Sequence, residues 1–221
     1  MREIDLDALL PRIWDALFET AIMVSISFLL ASLVGVLLGL LLYASRPGNL
    51  LANRAVFGVL NAVINVVRPV PFLIVAVSII PLTRLLVGTS IGPVAATVPL
   101  VLVASVAIAR IAESNLVAVD PGAIEAGTAM GAKPWQVLFG IVVPEALGPL
   151  VLGLTYIFVA LIDATAVAGV VGGGGLGDLA IRYGYQRFDW FVVGVIVVLL
   201  IVLVQGAQLL GNAVARRVMH A

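Results

Sequence analysis

Uncharged runs long enough to cross a bilayer recur along the chain, and each is stopped by a short charged or proline-rich segment. Residues Thr20 to Ser45 carry no charge, and Arg46-Pro47-Gly48 ends that run. A helix crossing the ~30 Å hydrocarbon core needs roughly 20 apolar residues, so residues 20–45 predict a first span. Ala55 to Val67 is apolar, breaks at Arg68-Pro69-Val70-Pro71, and resumes from Phe72 to Leu82. Either half alone is too short to cross, so 55–82 is read as one span with a proline break. The uncharged stretch Leu85 to Ala109 turns at Gly88-Thr89-Ser90-Ile91-Gly92-Pro93 and predicts a third span over 91–110. A fourth covers 146–171, interrupted only by Asp163. A fifth covers 190–215, closed by Arg216-Arg217. Five spans put the two termini on opposite sides.

The segments outside these spans have patterns of their own. Leu6, Leu9, Leu10, Ile13, Leu17 and Phe18 fit a helical stripe, predicting an N-terminal helix that lies on the membrane surface. The charges around it are mostly acidic (Glu3, Asp5, Asp7, Asp15, Glu19), which does not suit a cleavable signal. Residues 111–145 form the longest polar stretch, with Glu113, Asp120, Glu125, Lys133 and Glu145. Within it Asp120 predicts a helix N-cap with Pro121 at the first position, where a missing N–H costs nothing. That helix runs through Ile124, Ala126 and Met130, and Gly131 suits its left-handed end. Pro134 predicts a second helix carrying Trp135, Val137, Leu138 and Ile141, with Pro144 just before span four. A short helix of small and apolar side chains between spans calls for a protein partner or for the membrane surface.

Composition agrees with the spans. Of 221 residues, 62% are hydrophobic and 11% charged, and mean hydropathy is +1.22. In water such a chain would expose apolar patches beyond what soluble monomers tolerate. The fold class is therefore an all-α integral membrane protein with about five spans, read as one membrane-spanning domain over 1–221. Twelve basic residues balance twelve acidic ones, so no basic face invites nucleic acid. No cysteine is present, and the single histidine is His220. Disulfides and thiolate metal sites are thereby excluded, the lone histidine argues against a histidine metal site or a His-dependent triad, and no catalytic residue is assigned. The positive-inside count is six against five for an outside N-terminus, which leaves orientation open.

Glu125-Ala126-Gly127, then Ala129-Met130-Gly131, then Ile141 and Pro144, resemble the EAA loop of ABC-importer permeases. In that family the loop forms a coupling helix seated in a groove of a cytoplasmic ATPase. The usual third residue is Ala; Gly127 here loosens the helix by up to ~1 kcal/mol without changing the spacing. The likeness extends from Arg46 to Tyr185. Arg46-Pro47-Gly48, Pro71-Phe72, Pro81-Leu82-Thr83-Arg84, Val87 to Gly92, Ala129 to Ala132, Pro144 to Leu147 and Gly174 to Gly177 are similar to the methionine-importer permeases. The resemblance implies a bacterial inner-membrane subunit with its N-terminus outside and its C-terminus cytoplasmic. It implies a homodimer, two ABC ATPase subunits that hold ATP and Mg, and an extracytoplasmic binding lipoprotein delivering methionine. No cofactor is implied in this chain.

Gly172, Gly174 and Gly177 satisfy G-x-G-x-x-G, but they follow a membrane helix and not a strand, so no dinucleotide site is read there. They mark either a close-packed turn or an external gate. No G-x-x-x-x-G-K-[ST] occurs, and Lys133 is the only lysine. A phosphate-cradling P-loop is absent, so ATP hydrolysis falls to another polypeptide.

Asn61, Asn65 and Arg68 share one helix face at i, i+4 and i+7, and Asp163 is the one carboxylate in span four. An ionisable group at that depth costs ~2.5–3.5 kcal/mol or more unless it faces a cavity or partner. These four residues either line a substrate path or serve as structural glue, Arg68 pairing with Asp163. Ser27, Ala31, Gly35 and Gly39 form a small-residue ridge for helix packing. Gln205, Gln208 and Asn212 form a polar ridge expected to hydrogen-bond between helices. The rival reading is a secondary transporter or channel without an ATPase, which would favour repeated halves with matching broken helices; only one broken span is seen.

Overall fold

The computed structural model describes residues 6–49 and 51–219, and all the regular structure in them is helical. The earlier readings of Arg2, Glu3, Asp5 and His220, and of the Leu6 and Asp7 side chains, fall outside what is described. The first helix, α1 (Leu6–Ser45), is 40 residues long. It replaces the expected surface helix followed by a separate span. Between Pro11 and Arg46 nothing in the sequence interrupts helical hydrogen bonding, so the two pieces fuse. Its N-terminal stripe also has a different role from the one expected. Leu9, Ile13 and Ala16 are buried against Leu176, Leu179, Val192 and Ile196, while Leu10 and Phe18 are exposed.

The second span is not a straight rod. Helix α2 (Arg54–Val67) and α3 (Phe72–Ser78) are bent by 103° at the break between them. Pro69 and Pro71 have no N–H to continue the ladder, which accounts for the sharpness of the turn. A second break at Ile79 separates α3 from α4 (Ile80–Val87), where Pro81 cannot donate to the turn before it. The four long helices are α1, α5 (Pro93–Val117), the fourth span and the last helix; all meet the length and hydropathy of membrane spans, and the bent pair makes up to five.

Helix α5 runs to Val117, seven residues beyond the predicted end at Arg110. Arg110 does not stop it because its charge is neutralised one turn on by Glu113. After α5 come α6 (Pro121–Ala129) and α7 (Pro134–Val137). The second loop helix predicted from Pro134 is not a separate element. It passes through a π-helical turn, Leu138–Val142, directly into α8 (Val143–Ala168). The Val143 N–H reaches back to the Leu138 carbonyl. This wider turn absorbs the hydrogen bond that Pro144 cannot make. Helix α9 (Gly175–Leu179) and α10 (Trp190–Met219) complete the chain.

Two compact units emerge. One comprises the chain up to Leu29, Val70–Val103 and Phe158–Gly206; the other comprises Leu30–Pro69, Ala104–Ile157 and the chain from Ala207. In the first, the core is the Leu9–Ile196 cluster, and the rings of Phe28 and Phe158 meet edge to face at 5.1 Å. In the second, Leu42, Ile64, Val106 and Ala109 join α1, α2 and α5. There the small-residue ridge does its expected work. A Cβ added at Gly35 would stand 2.7 Å from the Ser105 carbonyl oxygen, and one at Gly39 would stand 2.7 Å from that of Ala109. Lipid is as apolar as leucine, so close backbone approach and not hydrophobic transfer favours such contacts. The opposite face of α1 presents Leu33, Leu37 and Leu41 outward, as lipid contact requires. Gln205, Gln208 and Asn212 are exposed on α10 and make no hydrogen bond among the described residues, contrary to the bonding expected of them.

Candidate functional site

The segment around Glu125 has two faces with different fates. Asp120 caps α6, its side chain accepting from the Gly122 N–H at 2.9 Å. Gly131 closes the segment at φ +83, with its N–H bonded to the Thr128 carbonyl. The inward face carries Ile124, Gly127 and Ala132. It meets a core of Val137, Leu138 and Val142, to which Tyr43 of α1 and Leu116 of α5 also belong. Gly127 is buried there, and a Cβ on it would stand 2.5 Å from Ile141 Cδ1. The departure from Ala at this position thus coincides with a bulky neighbour. The outward face carries Glu125, Ala126, Ala129 and Met130, all exposed, with Met130 at 82%. Beside it Gln136 Oε1 accepts from the Lys133 N–H at 2.8 Å, and Trp135 is also exposed. Pro144 is exposed in the first turn of α8 and takes no part in that face. A short helix backed by a packed core, with Glu125, two alanines and Met130 on its outer face, can seat in a groove of another protein.

The glycine cluster is a held turn. Gly172, Gly174 and Gly175 have φ of +91, +79 and +79, the left-handed region in which a side chain is strained. The Gly175 N–H donates to the Glu19 carboxylate at 2.6 Å, and the Leu176 N–H donates to the Thr20 hydroxyl at 2.9 Å. The Gly172 carbonyl accepts from the Gly92 N–H at 2.8 Å. Gly177 lies against the backbone of Ala166, with no space for a Cβ. An apolar cleft beside the turn is lined by Phe72, Ala76, Ile80, Thr83, Pro99 and Gly173.

The polar residues of the second span have a partner that the sequence did not assign. Asn61 and Asn65 both accept from Arg110 Nη2, at 2.9 and 2.8 Å. Arg110 Nη1 donates to Glu113 at 2.5 Å, and Arg46 stands 3.9 Å from the other carboxylate oxygen. Glu113 is 5% exposed. Only the Glu113 carboxylate of this network is buried, while Asn65 and Arg46 are exposed, and the two arginines lower the cost of burying it. Arg68 is exposed at the C-terminal end of α2, and Asp163 is exposed on α8. Among the described residues neither side chain makes an ion pair or a hydrogen bond.

Glu19, Thr20, Arg110 and Glu113 were thus the site residues missed. A signal existed for each. The bare N–H groups of a four-glycine run need acceptors, and a carboxylate opening an apolar run is one. Arg110 and Glu113, at i and i+3 among apolar positions, read as an internally neutralised pair.

Residues 35–220 match the family described as the inner membrane component of binding-protein-dependent transport systems. A probable D-methionine transport system permease protein of Vibrio cholerae is 45% identical over 214 residues, covering 97% of this chain and 93% of that one. A methionine import system permease protein of Bacillus subtilis is 42% identical over 205 residues, covering 93% and 92%. Among solved structures, an inward-facing MetNI methionine ABC transporter superposes with a TM-score of 0.92 at 38% identity, covering 99% of both chains. An amino acid ABC transporter with histidines reaches 0.81 at 21% identity, over 98% of this chain and all of the other, which speaks for the fold alone.

Proposed function

We propose that this chain, which belongs to the family of binding-protein-dependent transport system inner membrane components, is the permease subunit of an ATP-driven methionine importer. The observation that carries the coupling is the outward face of α6, where Glu125, Ala126, Ala129 and Met130 stand exposed on a helix whose other face is buried. Membership of this family sets aside the secondary transporter or channel.

Two copies of the chain form the pathway, and each α6 sits on one of two ABC ATPase subunits in the cytoplasm. The N-terminus is then outside and the C-terminus inside. The ATPases hold ATP and Mg and break the phosphoanhydride bond; the permease makes and breaks no covalent bond. The core beneath α6 explains how motion is passed on. Val137, Leu138 and Val142 join α6 to the start of α8, while Tyr43 and Leu116 join it to the ends of α1 and α5. A push on α6 therefore moves three helix ends together, because a close-packed cluster does not compress. ATP-driven closure of the ATPases switches the pathway from inward-open to outward-open, and a binding protein supplies methionine from outside. Substrate affects that equilibrium only through different affinities for the two states.

Arg68 and Asp163, exposed and without an ion pair among the described residues, are assigned to the pathway together with Asn61 and Asn65, which Arg110 holds in place. Gly172, Gly174 and Gly177 form a packed turn and not a swinging gate, supported by the hydrogen bonds to Glu19 and Thr20. Uptake of labelled methionine by cells lacking their own importer, with and without this chain and its partner subunits, tests the proposal. Uptake that depends on both the chain and ATP is expected; uptake unchanged by removing the chain would refute it.

A further inference from the structure

We infer that Arg12, Tyr183 and Arg187 form a binding site for the phosphate of an anionic phospholipid headgroup. The guanidinium carbon of Arg12 lies 4.7 Å from the centroid of the Tyr183 ring, and that of Arg187 lies 4.4 Å from the same centroid. Two like charges are thus gathered on one ring. Tyr183 is itself packed against the buried Leu9–Ile196 cluster, so the platform is fixed.

Among the described residues no carboxylate forms an ion pair with either arginine. Asp178 is bound to Arg182 at 2.7 Å, and Asp189 caps α10 through the Phe191 and Val192 N–H groups. Glu19 holds Gly175. Asp15, three residues after Arg12, makes no ion pair among the described residues. Both arginines are exposed. Stacking on a ring uses the face of a guanidinium and leaves its N–H edge free, and that edge matches phosphate oxygens in a bidentate way.

The surroundings select a lipid as the source of that phosphate. Trp14, Phe18, Tyr185, Phe188 and Trp190, each within six residues of one of the three in sequence, are all exposed. Exposed tryptophan and tyrosine mark the headgroup level of a bilayer. Arg12 lies in α1 about two turns before the uncharged run that begins at Thr20, and Arg187 lies just before α10. Both therefore stand where helices enter the hydrocarbon, at the depth of headgroup phosphate. This inference rests on membrane residence and not on the transport reading, so it can stand or fall separately.

The test is thermal unfolding of the full-length protein, with its co-purified subunits, in phosphatidylcholine nanodiscs with and without phosphatidylglycerol. Phosphatidylglycerol is expected to raise the midpoint of the wild type by about 2–4 °C. The rise should vanish in R12Q/R187Q and in Y183L, and persist in Y183F, which keeps the ring. R187Q alone, on the exposed loop, covers the case in which the others fold poorly, and should lose about half of the rise. The inference is overturned if the wild type shows no rise, or if R12Q/R187Q or R187Q keeps all of it. It is equally overturned if soluble glycerol phosphate in phosphatidylcholine discs reproduces it. Loss of binding-protein-stimulated uptake in R187Q, with the lipid response intact, would assign the arginines to a protein partner instead.

Discussion

The Glu19 carboxylate accepts a hydrogen bond from the Gly175 N–H at 2.6 Å, across 156 residues of sequence. Thr20 does the same for Leu176, so two successive residues of α1 hold two successive amides of the glycine turn. A turn with no side chains of its own is positioned by the side chains of another helix.

Removing those acceptors should loosen the turn and leave the rest of the fold in place. E19A and T20V each leave a donor without a partner, at a cost of about 1–3 kcal/mol. Amide hydrogen exchange should accelerate over residues 169–177 in both variants and stay unchanged over 121–131. Unchanged protection at the turn would show that the two bonds do not hold it.

Much of this fold could be read from the sequence, and the failures are of two kinds, local stops carried through and faces covered by distant partners. Asp120 as a cap and Gly131 as a left-handed end followed from local chemistry, and both stand in the structure. Gly35 and Gly39 likewise predicted a close helix contact. What was missed was which local stops the chain carries through and which face a distant segment covers. Arg110 looked like the end of a span, but Glu113 one turn on neutralises it and Asn61 and Asn65 accept its hydrogen bonds. The stripe at Leu9 and Ile13 looked like a membrane-surface face because its partners lie more than 150 residues away. Pro144 looked like a helix boundary, but a π-helical turn carried the helix past it.

The Arg110–Glu113 pair should be costly to break and cheap to replace. R110A leaves a carboxylate that is 5% exposed with only Arg46, 3.9 Å away, for charge. A loss of about 3 kcal/mol is expected in detergent unfolding, as for other buried pairs. R110L/E113L should recover most of it, since neither charge then remains buried. Equal losses in the single and double variants would count against the pairing.

Gly127 offers a finer test of the α6 core. G127A gains helix propensity of up to ~1 kcal/mol but displaces the end of the flexible Ile141 side chain. It should unfold within ~1 kcal/mol of the wild type, and G127A/I141V should do the same. G127L overfills the space between Val137 and Ile141 and should lose about 1–3 kcal/mol. A neutral G127L would mean that this face is not packed.

At Gly177 the neighbour is the Ala166 backbone and not a side-chain tip. Backbone cannot swing aside, so G177A should lower the yield of folded protein in the membrane fraction far more than G127A does. Equal yields would contradict the close approach.

The central claim is that the outer face of α6 grips a separate ATPase, and affinity purification of the tagged chain tests it most directly. A129D and M130D alter exposed side chains and leave the buried core of the segment untouched. The wild type should carry an ABC ATPase through purification, and the two variants should reach the membrane at normal levels without it. Full retention of the ATPase by both variants would contradict the claim.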